Sequence, residues 1–207
     1  REGVYAKAGE HDLILDSALA GILAHEAVGH TVESDLIRGG SIAKSCRNQR
    51  VGSDLVTLID FAHTALDETV PLPIYVDDEG TKAEDVIVIQ NGILLDYMSN
   101  RFDAPLINTT PKGNGRAFNY KDEPIVRMRN TCIMPGKDKL EDMIKSTENG
   151  YYLISWGNGQ ADGTSEFMFG ITMGYEIKDG KPVYTEFSGQ AWEKGYELDE
   201  EYGGGSY

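Results

Sequence analysis

Val86-Ile87-Val88-Ile89-Gln90-Asn91-Gly92-Ile93-Leu94-Leu95-Asp96-Tyr97-Met98 is the stretch from which the fold can be read. Two apolar runs flank Asn91-Gly92, the dipeptide that best suits a two-residue hairpin because both central positions need positive φ. The spacing therefore predicts an antiparallel hairpin. Residues 172–177 and 181–185 flank Asp179-Gly180 in the same way and predict a second one. The apolar runs 56–61 and 72–76 read as further strands, the latter ending in the acidic turn Asp77-Asp78-Glu79-Gly80. Between the hairpins, residues 138–149 read as a helix that Asp138 caps and Gly150 ends. Hairpins interrupted by helices, without regular strand–helix alternation, predict an α+β fold: one antiparallel, β-rich domain over residues 1–207.

Upstream of the hairpins, residues 16–32 have helical periodicity, with Leu19, Ile22, Leu23, Ala27 and His30 on helical intervals and Asp16 or Ser17 as cap. Near the end of this segment stands His25-Glu26-Ala27-Val28-Gly29-His30. Two imidazoles that are neutral ligands at physiological pH, and a carboxylate beside them, make the pattern of a metallohydrolase: histidines hold the ion, and glutamate takes a proton from the attacking water. In the familiar zinc-protease helix the histidines are four positions apart, about 40° around the axis. Here the interval is five, and an ideal α-helix would splay the two rings by about 140°. Both can converge if the helix kinks or carries a π-bulge, which Gly29 eases. The motif predicts an irregular helix. Glu33 and Asp35 follow, each readable as a third ligand, as the acceptor for an imidazole N–H, or as an ordinary solvated helix end. His11 and His63 lack such company and read as structural or surface residues. From residue 35 to 54 the helical pattern breaks, and this stretch reads as a solvated loop.

A net charge of -15 on 207 residues argues against nucleic acid or an anionic membrane as the main partner. No apolar run reaches the roughly 20 residues that cross a bilayer, and no secretory leader opens the chain. Two widely separated cysteines, Cys46 and Cys132, form no paired metal or redox motif and suit a reducing, cytoplasmic compartment. Lys112-Gly113-Asn114-Gly115-Arg116 and Gly157-Asn158-Gly159-Gln160 lack the strand-to-helix context of a phosphate loop. They read as tight turns with exposed backbone, which could instead pair with an extended peptide. Arg127 or Arg129 could steady an oxyanion or a substrate carboxylate, with a surface ion pair as the plainer role.

The order of these motifs resembles the TldD/PmbA family, the modulators of DNA gyrase, a group of zinc-dependent peptidases. The resemblance runs from Ala24-His25-Glu26-Ala27-Val28-Gly29-His30 with Glu33 and Asp35, through Asp77-Asp78-Glu79-Gly80-Thr81 and Asn91-Gly92-Ile93-Leu94 with Tyr97-Met98. It continues through Thr110-Pro111-Lys112-Gly113-Asn114-Gly115-Arg116, Arg127-Met128-Arg129-Asn130-Thr131 and Gly157-Asn158-Gly159-Gln160-Ala161-Asp162 to the hairpin at Gly180-Lys181. It implies zinc on His25 and His30, Glu26 as catalytic base, and peptides or unfolded chains as substrates. It also implies an N-terminal α/β domain absent from this fragment, and a homo- or heterodimer with a related subunit. Metal-bearing members add a cysteine ligand close to the C-terminus. Neither Cys46 nor Cys132 sits in a matching motif, so the resemblance places the third ligand beyond Tyr207.

Two function classes follow. A peptidase would use His25, His30 and Glu26 directly. A binding or scaffold subunit would leave the chemistry to a partner; the intact triplet counts against that alternative, and the missing third ligand counts for it.

Overall fold

The computed structural model describes residues 4–161 and 166–194; Asp162 and the glycine-rich stretch 203–207 lie outside them. In chain order, strands β1 (Val4–Tyr5) and β2 (Asp12–Leu15) lead into helix α1 (Ser17–Leu23), which continues as irregular helix to Val32. Helix α2 (Ser34–Gly39) is followed by β3 (Leu58–Phe61), β4 (Thr64–Ala65), β5 (Glu68–Thr69), β6 (Val86–Gln90), β7 (Ile93–Leu94), β8 (Gly115–Arg116), β9 (Ile125–Val126) and β10 (Asn130–Ile133). Helix α3 (Leu140–Ser146) precedes three long strands, β11 (Asn149–Ala161), β12 (Glu166–Lys178) and β13 (Lys181–Lys194). The expected α+β, mostly antiparallel character is present. Among the described residues no helix is long and apolar enough to cross a membrane. These residues group into two compact units, 4–26 with 135–161 and 166–194, and 27–134.

The first unit is a five-stranded sheet in the order β1-β13-β12-β11-β2. Its centre is the antiparallel pair β11–β12 and the hairpin β12–β13, turned at Asp179 and Gly180, whose φ values of 49° and 71° are those the dipeptide was expected to supply. Both strands run well beyond the predicted segments because each finds a partner along its length. Strand β2 pairs parallel with β11 over Gly150–Leu153, and the chain then turns into α1. Asp16 ties that turn: its backbone N–H donates to Leu153 O at 2.9 Å, and its carboxylate accepts from Leu19 N at 2.9 Å, capping the helix as predicted. Ile14, Leu19, Tyr151, Leu153, Phe167, Phe169, Ile171 and Ile177 form the buried core.

Two expectations change here. Helix α3 starts after Lys139, so Asp138 does not cap it; Glu141 and Asp142 in its first turn complement its N-terminal dipole instead. Gly150 does not end it either, because the helix is already over at Thr147 and Gly150 belongs to β11. A Cβ there would strike the Asp12 carbonyl oxygen, so glycine permits the close β2–β11 approach.

The second unit holds a four-stranded antiparallel sheet in the order β10-β3-β6-β7. Its hairpin turns at Asn91 and Gly92, both with positive φ (49° and 77°), as the sequence requires. Strand β7 is only two residues long; beyond it, Tyr97 and Met98 are buried, and Met98 forms an isolated bridge with Glu33. The expected strand over residues 72–76 is absent: Pro71 and Pro73 withhold N–H donors, and only Val76 makes a single bridge, to Lys82. The region read as a solvated loop contains α2 and a short 3-10 turn, Ile42–Ser45, because Ile37 and Ala43 anchor it in the core and Gly40 stops α2 in the left-handed region.

The Lys112–Arg116 glycine segment is also not an exposed turn. Gly113, Asn114 and Gly115 are buried, and Gly115 N donates to Asp77 Oδ2 at 2.9 Å. Asp77 Oδ1 meanwhile accepts from Glu79 N and Thr81 N, so the acidic turn spends its carboxylate on backbone donors. Arg129 does not form a surface pair. It is buried against Asp60, with Nε 2.9 Å from Oδ2.

Candidate metal centre

Helix α1 changes winding without a break. Ala24–Gly29 is π-helical and His30–Val32 is 3-10. A π-turn repeats its backbone hydrogen bonds at i→i+5, so residues five apart come onto one face. That is the interval between His25 and His30, and the irregularity their spacing demanded is present. Neighbouring hydroxyls satisfy carbonyls around it: Thr31 Oγ1 donates to Val28 O at 2.7 Å, and Ser41 Oγ donates to Thr31 O at 2.6 Å. Glu33 then ends the helix in an extended conformation (φ -70°, ψ 130°), held by Met98 N to Val32 O at 3.1 Å and Ser34 N to Met98 O at 2.9 Å.

Within this segment, His25, Glu26 and His30 each present one ligand atom, and these atoms all lie within 4.8 Å of one another. Two imidazole nitrogens and a carboxylate oxygen at that separation are a donor set of the kind zinc takes. The histidines arrive there by the local winding of one short stretch, with Glu26 and His30 half-buried.

Of the alternatives open for Glu33, the geometry selects one. Its Oε2 lies 3.0 Å from His30 Nδ1, and its side chain is 3% exposed. A carboxylate only accepts, so in this contact Nδ1 is the donor, which in the neutral ring leaves Nε2 its lone pair for a ligand. This is the carboxylate–histidine arrangement that orients metal ligands. The other oxygen, Oε1, is buried and has no hydrogen-bond partner. Asp35 lies outside the cluster: it accepts from Leu36 N at 2.9 Å at the start of α2, and burial, reinforced by the charge of Glu33, holds its carboxyl above the usual carboxylate range.

The other candidates are dispersed. His11 packs edge-on against Tyr151 and bonds Lys7 O; His63 stacks on Tyr75. Both are the structural or surface residues they were expected to be. Arg127 is exposed, with Nη1 donating to Val126 O. Cys46 and Cys132 are free thiols, and neither joins the His25–Glu26–His30 group. One further contact joins residues far apart in the chain. Gly159, read from sequence as part of a tight turn, lies in β11 with its α-carbon against the Glu26 carboxylate. Gly157 and Gly159, two positions apart, read as a turn and not as the isolated glycine within a strand that marks a bulge or close approach.

Residues 8–188 match the PmbA/TldA metallopeptidase C-terminal domain. The chain is 36% identical over 180 residues to the zinc metalloprotease TldD homologue of Saccharolobus solfataricus, covering 87% of this chain and 40% of that protein. It is 42% identical over 178 residues to the metalloprotease TldD homologue of Buchnera aphidicola subsp. Schizaphis graminum, covering 85% of this chain and 36% of that one. The chain thus spans about two-fifths of the length of these relatives. The fold is shared with TldE from Thermococcus kodakarensis, with a TM-score of 0.77 at 21% identity over 93% of this chain and 43% of that one.

Proposed function

Because the chain belongs to the PmbA/TldD family of metallopeptidases, we propose that it carries the metal-binding helix and general base of a zinc-dependent peptidase. The observation that supports this most is the π-helical turn that gathers His25, Glu26 and His30 within 4.8 Å. The donor set fits the ion: two imidazoles, one of them oriented by a buried carboxylate, beside a third residue able to move a proton. Zinc on His25 and His30 would supply Lewis acidity toward water and a carbonyl oxygen.

The residues of the chain do the rest. Glu33 holds the His30 ring and its tautomer. Glu26 takes a proton from the attacking water and returns it to the leaving amine. Strand β2 covers β11 only as far as Leu153, so among the described residues no strand pairs with that edge from Ile154 onward. A peptide or unfolded chain can add there as an extended strand, its backbone hydrogen-bonded and its side chains largely unread. The same reading places the protein in the cytoplasm as a homo- or heterodimer with a related subunit, to which the fold shared with TldE lends support.

Metal analysis tests the assignment. In the full-length protein, His25→Ala and His30→Ala are each expected to abolish stoichiometric zinc, measured by elemental analysis after gel filtration. Retention of zinc in either variant would remove that residue from the ligand set, and a metal-free wild-type protein with unchanged function would favour the scaffold alternative. Glu33→Gln keeps the shape of the side chain but weakens the acceptor for His30 Nδ1–H. Its zinc affinity, read by competition with a chromophoric chelator, is expected to fall about tenfold; unchanged affinity would make Glu33 a purely structural helix end.

A further inference from the structure

We propose that Gly159 is a positioning residue for Glu26: its missing side chain is the space in which the Glu26 carboxylate sits. This inference rests on the reading of Glu26 as general base. Strand β11 changes register against β12 between the pairs Trp156–Ile171 and Gly159–Phe169, so three steps on one strand oppose two on the other. The bulge re-aims the backbone of β11 at Gly159. A Cβ built on Gly159 would overlap Oε1 of Glu26, and would lie 3.0 Å from its Cδ and 3.2 Å from its Cγ.

Backbone conformation does not explain the glycine. Gly159 is not among the residues with positive φ, so alanine can adopt its main-chain angles. Its surroundings are otherwise exposed. At Gly150 and Gly113 an added carbon would strike main chain, Asp12 O and the Ala83 backbone; at Gly115 it would meet the Asp77 and Glu79 side chains. At Gly159 the obstacle is the end of a flexible side chain. The fold can absorb a methyl group by turning Glu26 aside, so the expected cost falls on the placement of the carboxylate and not on stability. A shift of about 1 Å in a catalytic group is enough to cost on the order of a hundredfold in rate. Glycine at this position therefore keeps the base against a rigid strand, on the edge where an extended peptide would run.

The test compares wild type, Gly159→Ala and Glu26→Gln in the zinc-loaded full-length protein. Gly159→Ala is expected to lower kcat for peptide hydrolysis about 10- to 100-fold, with KM, zinc content and melting temperature held at wild-type values. Its crystal structure is expected to show the Glu26 carboxylate displaced from residue 159. A wild-type kcat, an unmoved carboxylate, or a loss explained by lower zinc content or melting temperature would each overturn the role of Gly159, while an inactive Glu26→Gln would leave the base assignment standing. If Glu26→Gln retains full activity with its metal, the base assignment itself fails, whatever Gly159→Ala does.

Discussion

Glu26→Gln in the zinc-loaded full-length protein is expected to lower kcat for peptide hydrolysis by about 10²- to 10⁴-fold, with metal content unchanged. Glutamine keeps the length and shape of the side chain and its contact at Gly159. What it loses is the ability to accept and return a proton. General-base catalysis predicts that the loss appears in kcat, because water activation is needed in the transition state and not for peptide binding. A parallel fall in zinc would give the result a different meaning. Glu26 lies in the same 4.8 Å group as the two histidines, and loss of the ion on its substitution would make it a ligand and not the base. Full activity with full metal content would place the base elsewhere.

The second large effect is on stability. Arg129→Met is expected to destabilise the protein by about 3–5 kcal/mol, measured as the loss of unfolding free energy in urea. Arg129 and Asp60 are 1% and 0% exposed at their side chains, and the guanidinium makes contacts in every direction. Its Nε bonds Asp60 Oδ2 at 2.9 Å, Nη2 bonds Glu84 O at 2.8 Å and Asp60 O at 3.1 Å, and Nη1 reaches Lys112 O at 3.3 Å. Asn114 Nδ2 and Thr131 Oγ1 add donors to the same aspartate. The pair thus ties β3 to β10 and to the glycine segment before β8. Methionine fills a similar volume but leaves a buried carboxylate without its counter-charge, which costs more than the pair itself contributes. The double variant Asp60→Asn with Arg129→Met removes the stranded charge and is expected to recover part of the loss. If Arg129→Met unfolds at the wild-type urea concentration, the network is not a determinant of stability.

Glycine and proline mark both an agreement and a difference between the expected and observed elements. Asn91-Gly92 and Asp179-Gly180 were legible because a two-residue hairpin needs positive φ at adjacent positions, a local requirement with few solutions. The run 72–76 misled because hydrophobicity alone resembles a strand, whereas pairing needs N–H donors that Pro71 and Pro73 lack. The segment 35–54 looked solvated because its polar residues outnumber the few apolar ones; Ile37 and Ala43 nevertheless suffice to bury it. Arg129 looked like a surface or substrate-facing cation because nothing local marks its partner, which lies 69 positions away at Asp60.

The sequence by itself determined the family, the α+β class, both two-residue turns, and the irregular winding of the helix that carries His25 and His30. Those features are local: a five-residue interval between two would-be ligands admits few backbone solutions, and a π-turn is one of them. Tertiary structure alone decided what surrounds them. Glu33 could be a ligand, a partner or a bystander until Met98 held its backbone extended and its carboxylate met His30. Gly159 carried no visible tie to Glu26, since the two are far apart in the chain and are joined only by a register shift between β11 and β12. Side-chain roles that depend on strand pairing cannot be read from spacing, because one extra residue in a bulge changes which face, and which neighbour, every later residue meets.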